Sequence, residues 1–158
     1  MPNVFEGDTA NASGRYGIVV SRYNDSITGR LLSGAVETLT AAGISDSSID
    51  VAWVPGAWEL PLVAQSFVSS ERYQAVICLG AVIRGETTHD QHINRAVSLA
   101  LSELAMSSSL PVLFGLLTCE TIEQAIHRAG GNTGNKGIEC AQAALEMVSL
   151  LKQLPTDY

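Results

Sequence analysis

The sequence is short of charge, and of positive charge above all. Only 16% of its 158 residues are charged, with nine Lys and Arg against sixteen Asp and Glu, for a formal net charge of −7. Nucleic acid and anionic membranes are therefore poor partners. An anionic ligand would need a basic cluster drawn from very few residues. Cysteine is scarce too: Cys78, Cys119 and Cys140 lie far apart and form no CxxC pair. Their odd number, with Cys78 in an apolar run and Cys140 on a helical pattern, reads as buried free thiols in a reducing compartment. No apolar run approaches the roughly 20 residues a spanning helix needs. Residues 1–14 show neither the basic start nor the apolar centre of a secretory signal. A cytoplasmic protein is the expectation. Missing motifs narrow the chemistry further. No GxGxxG follows the first strand, no GxxxxGK[ST] occurs, and there is no GxSxG, which argues against dinucleotide, P-loop and nucleophile-elbow sites.

What is present is a real core. Hydrophobic residues make up 46% of the chain, enough for one compact domain over residues 1–158. Residues 1–14 are polar and unpatterned, an arm expected to lie on a neighbour or in solvent. Apolar runs at Tyr16–Ser21, Ile49–Val54, Ala75–Ile83 and Pro111–Thr118 predict four strands, the first and third of them buried. Between them, helical spacing predicts helices over about 26–42, 61–70, 88–106 and a short one opening at Thr121. A last helix carries the stripe Ile138, Ala141, Leu145, Val148 and Leu151. Alternating strands and helices mean βαβ units: a three-layer, flavodoxin-like α/β fold with a four-stranded parallel sheet flanked by helices. So small a sheet would struggle to enclose a ligand with its own loops, which favours a site completed by a second subunit.

One stretch organises the rest: Cys78 to Asp90. It runs as a buried strand to Ile83, breaks at Gly85, and restarts as a helix with Thr87 as the expected N-cap and Asp90 three residues on. A strand end feeding a helix N-terminus is where ligands sit in open α/β sheets. Backbone N–H groups of Gly85, Glu86 and Thr87 suit a phosphate, and His89 falls within proton-exchange reach of that turn. The loops after the first two strands meet the same edge. Tyr23 offers a face for a flat heterocycle, Gly56 and Ala57 expose backbone at low bulk, and Glu59 can accept hydrogen bonds from polyol hydroxyls. Arg128 and Lys136 flank the Gly/Asn connection near the chain end, where either can neutralise a phosphate. His89 and His92 with Asp90 make a weak case for a metal, since no third ligand is clear.

Together these pieces resemble the 6,7-dimethyl-8-ribityllumazine synthase family of riboflavin biosynthesis. The resemblance is carried by Arg22-Tyr23-Asn24, by Val54-Pro55-Gly56-Ala57-Trp58-Glu59-Leu60-Pro61, by Gly80 through His89, by Pro111 through Gly115, and by Ala129-Gly130 through Gly134-Asn135-Lys136-Gly137. It implies a transferase that condenses 5-amino-6-ribitylaminouracil with 3,4-dihydroxy-2-butanone 4-phosphate, releasing phosphate and water, with no cofactor or metal. By the same resemblance Tyr23 stacks on the pyrimidine, where the family more often has Phe or Trp. Asn24, Ala57 and Glu59 meet the ribityl chain, Val82 and Ile83 the uracil edge, and Gly85, Glu86, Thr87 and Arg128 the phosphate. His89 carries protons. Gly56, Trp58, Ala81 and Lys136 belong to the same implied binding set. Phe114 and Arg128 come from the adjacent subunit of a pentamer, which in some members packs into a sixty-subunit shell; riboflavin synthase is then a candidate partner. Two departures stand out: Asp90 follows His89 directly, where the family has an aromatic residue, and Asn132 stands where Lys is common. The competing readings are a flavodoxin-like or receiver-like binding module, and a flavin- or lumazine-binding shell protein without turnover.

Overall fold

The computed structural model describes residues 1–85, 88–131 and 134–155. The three strands expected first stand where the apolar runs put them: β1 Tyr16–Ser21, β2 Ile49–Val54 and β3 Ala75–Ile83; β4 is shifted by one, to Val112–Cys119. They pair in the order β2-β1-β3-β4, all parallel. Alternation along the strands sorts the core into two layers. Ile18, Val20, Ile77 and Leu79 face α1 (Asp25–Ala41) and α5 (Lys136–Gln153). Val19, Val76 and Cys78 face α2 (Leu60–Ser69) and α3 (His89–Ser108). The three-layer α/β fold is thus a sheet between two helix pairs, with α4 (Ile122–His127) joining the α1/α5 layer through Ala125.

Four expectations need correction. The last helix is rotated from its expected stripe: Ile138 and Leu151 are exposed, while Gly137, Cys140 and Ala144 are buried with Ala141, Leu145 and Val148. α1 and α5 approach so closely that a Cβ on Gly137 would run into the Leu31 carbonyl, so small residues, not the largest apolar ones, occupy the contact. The Gly-rich connection after α4 carries two short antiparallel strands, β5 Ala129–Gly131 and β6 Gly134–Asn135; glycine hides them from propensity. The arm lies on its own α5, where Asp8 N–H donates to Ser149 Oγ (3.2 Å) and Gln153 Nε2 donates to the Glu6 carbonyl (2.8 Å). Finally, α3 takes Thr88 as its N-cap, without a side-chain cap bond; Thr87 lies outside the described residues.

Burial keeps the Cys78 and Cys140 thiols protonated. All three cysteines are free and buried, and desolvation pushes Cys78 up to about 12 and Cys140 up to about 11. At the amino end of the sheet, Tyr73 donates to Asp50 Oδ2 (2.6 Å) and Arg15 pairs with Asp50 Oδ1 (3.0 Å). The Tyr73 hydroxyl first, then Arg15, hold the Asp50 carboxyl below its ordinary range. A lowered folded value gives stability that is complete above the unfolded value near 4 and is lost as pH falls through the folded one. Asp50→Asn should therefore show a flatter acid limb in thermal melts below about pH 4. The difference should stay under about 1 kcal/mol, because the Arg15 and Asp50 side chains are 31% and 35% exposed. Parallel acid limbs would remove this cluster from acid stability.

Candidate active site at the sheet switch point

The strand order reverses between β1 and β3, the place where ligands bind in doubly wound sheets. A cavity of about 480 Å³ opens there, within the usual range for small-molecule sites, lined by loops from β1, β2 and β3 and by the first turn of α3. Backbone hydrogen bonds set its walls. Arg22 N–H donates to the Val54 carbonyl (2.7 Å) and Tyr23 N–H to the Pro55 carbonyl (3.0 Å), so the β1–β2 ladder continues past both strand ends. Asn24 takes a left-handed conformation (φ 64°) as the N-cap of α1, a conformation asparagine tolerates well. Its Nδ2 donates to the Ala81 carbonyl (3.1 Å), tying this loop to β3.

Tyr23 is held on one side of the cavity, 73% exposed. On the β2 side, Gly56, Ala57, Trp58 and Glu59 line it, with Ala57–Glu59 forming a 3-10 turn that runs into α2. Ala81, Val82, Ile83 and Gly85 supply the β3 wall, and His89 the rim of α3. His89, Tyr23, the Gly56–Glu59 segment and the β3 end are thus brought into one cavity, as the motifs imply. Two flat aromatics and apolar walls suit a planar ring, while Glu59 and the exposed backbone offer polar contacts.

Other expected site residues stand apart from it. Asn24 spends its amide on the scaffold and does not line the cavity. Phe114 pairs with Cys78, five residues before the end of β3. At about 3.3 Å per residue it lies about 16 Å back along the sheet, on the edge strand and 41% exposed. Arg128 sits between Ala125 and Ala129, which bury into the α1/α5 layer, whereas the cavity opens by α2 and α3. Lys136 starts α5 on that same far layer, its N–H donating to the Arg128 carbonyl (2.9 Å). Glu86 and Thr87 lie outside the described residues, as does Asn132. No Lys or Arg is among the described residues lining the cavity.

The motifs did not mark Pro55, Asp90 or Ile93 as binding residues, and all three line the cavity. Asp90 is only 7% exposed. A signal existed: 90, 94, 97 and 101 follow the i, i+4, i+7, i+11 phase of an inward helix face. Among the described residues no three His, Cys, Asp or Glu side chains converge in a way that could hold a metal, and no helix is long and apolar enough to cross a membrane.

The sequence pattern of one known family fits this chain along almost its full length. That family is described as 6,7-dimethyl-8-ribityllumazine synthase, and the match covers residues 13–152.

Proposed function

Because the chain belongs to the 6,7-dimethyl-8-ribityllumazine synthase family, transferases of riboflavin biosynthesis, we propose that it condenses 5-amino-6-ribitylaminouracil with 3,4-dihydroxy-2-butanone 4-phosphate. The pyrimidine stacks on Tyr23, its edge meets Val82 and Ile83, and its ribityl chain reaches Ala57 and Glu59. The amine attacks the ketone carbonyl, water leaves as the Schiff base forms, phosphate is eliminated to give an enol that becomes a second carbonyl, and the ribitylamino nitrogen closes the ring on that carbonyl with loss of a second water. Each step moves a proton, and imidazole is the side chain that exchanges protons near neutrality. His89, exposed at the cavity rim, takes that role. Holding both reactants in register supplies a large further part of the acceleration.

The observation that carries the fuller reading is the charge of the cavity. A phosphorylated substrate needs a cation, and none of the described lining residues is Lys or Arg. The α3 N-terminus contributes a partial positive charge, and the remainder comes from a second copy. Arg128 and Phe114, remote from the cavity of their own chain, supply the neighbour's, in a ring of five subunits. Such rings can pack further into a sixty-subunit shell.

Mixing the two substrates and following lumazine absorbance and fluorescence tests the reaction; no lumazine from folded protein would leave a non-catalytic binder. Light scattering tests the assembly. A fully active species near 16.7 kDa would end the shared-site reading, whereas a mass of five subunits would keep it and reject the shell.

A further inference from the structure

Buried side-chain oxygens in folded proteins nearly always have partners. Among the described residues, three such atoms have none: Ser21 Oγ, Asp90 Oδ1 and Asn94 Oδ1. Two of them lie one turn apart on α3, on the inward face that continues through Val97 and Leu101. Residues i and i+4 are neighbours on a helix, with Cβ atoms about 5–6 Å apart. The first of the pair lines the cavity.

A carboxylate buried for structural reasons should be paired, because desolvating it is otherwise costly. The ion pairs among the described residues, Arg15–Asp50 and Arg84–Glu120, do not include Asp90. Asp90 lies in the first turn of α3, where the helix N-terminus favours its charge. A buried acid kept without a cation, in a cavity wall, is a group waiting for a donor. The donor is not the phosphorylated ketone, which a carboxylate repels. It belongs to the other half of the reaction, rich in N–H and O–H groups. Asn94 fits as the support: half a turn about χ2 exchanges its orphaned oxygen for two N–H donors, which would pair the sealed Asp90 oxygen and leave the other for ligand.

We propose that Asp90 is a substrate-binding residue, its carboxylate accepting an N–H or O–H of the ribitylaminopyrimidine, and that Asn94 is the positioning residue that holds it. The proposal rests on the reaction assigned above and adds a contact and a support to it.

Asp90→Asn keeps the shape and removes the charge. Its KM for the pyrimidine should rise about 10- to 100-fold, the range for one charge-assisted hydrogen bond, with KM for the phosphorylated ketone unchanged or lower. Its Tm should hold or rise, because an unpaired buried charge is gone. Asn94→Ala should raise the same KM by a smaller factor and add nothing in the Asp90→Asn background. Unchanged KM for the pyrimidine in Asp90→Asn overturns the proposal. So does a lower Tm with activity lost in proportion to unfolding, which would make Asp90 structural. Additive effects of the two substitutions would remove Asn94 from its role. If wild type forms no lumazine, the reaction assignment fails, and fluorescence or calorimetric titration with the pyrimidine alone still decides Asp90. Tighter binding by wild type than by Asp90→Asn supports it; equal binding, or none by either, overturns it.

Discussion

His89→Ala should lose about 10²–10⁴-fold in turnover, the usual contribution of a positioned acid–base group, while its Tm and assembly mass stay those of wild type. The position predicts that separation. His89 is the first residue of α3, at the exposed rim of the cavity, and neither core layer includes it. Truncation there opens no void among packed side chains, so the cavity term that makes core substitutions costly does not arise. What survives is the rate that comes from holding the two reactants together. Steady-state rates with both substrates saturating, set beside thermal melts, measure the two effects separately. Turnover within about threefold of wild type would take His89 out of the chemistry.

Arg128→Ala should raise KM for the phosphorylated ketone about 10- to 100-fold, as expected for loss of one charged hydrogen-bond partner, with a much smaller change for the pyrimidine. Its larger consequence appears on mixing. When His89→Ala and Arg128→Ala subunits are unfolded together and reassembled, sites between subunits recombine. In a random mixture about a quarter of sites have an intact His89 facing an intact neighbouring Arg128, a consequence of head-to-tail contacts in a ring. At low ketone concentration the mixture should then exceed the average of the two parents several-fold. A mixture that gives only that average would place both residues in one chain's site, against the separation of Arg128 from the cavity of its own chain.

Much of the fold was legible because parallel strands write themselves as largely apolar runs, unbroken in the buried β3 and interrupted by Asp50 in the edge strand β2, which leaves Val51 and Trp53 exposed. Tyr16–Ser21, Ile49–Val54 and Ala75–Ile83 begin and end where those runs do. The last helix was misread for the opposite reason. Hydrophobic size predicts Ile138 and Leu151 inside, but the α1–α5 contact is close enough to select Gly137, Cys140, Ala141 and Ala144. Periodicity weights residues by hydrophobicity and cannot see interaxial distance. The arm was legible only as unpatterned: Gly7 passes against the α5 backbone at Glu146, and no side-chain pattern announces such a contact. In the candidate site, the residues delivered by strand ends were readable because each follows its strand within a few positions. Asp90 was harder. In the first turn of a helix a carboxylate is expected at the surface, favoured by the dipole, and only its phase with Val97 and Leu101 points it inward.

The Tyr23 loop and the β2 loop are hydrogen-bonded through main-chain atoms, from Arg22 N–H to Val54 and from Tyr23 N–H to Pro55. Placement of the ring is thus decoupled from the ring's identity. Any flat side chain substituted at that position inherits the same location and tilt of backbone, and selection can tune stacking strength without disturbing the register of the sheet. The corresponding fragility lies elsewhere. It falls on Asn24, whose left-handed backbone and bond to Ala81 clamp the loop to the central strand. A β-branched residue there would spoil the whole wall, while a change of aromatic at Tyr23 would alter only what the wall prefers to hold.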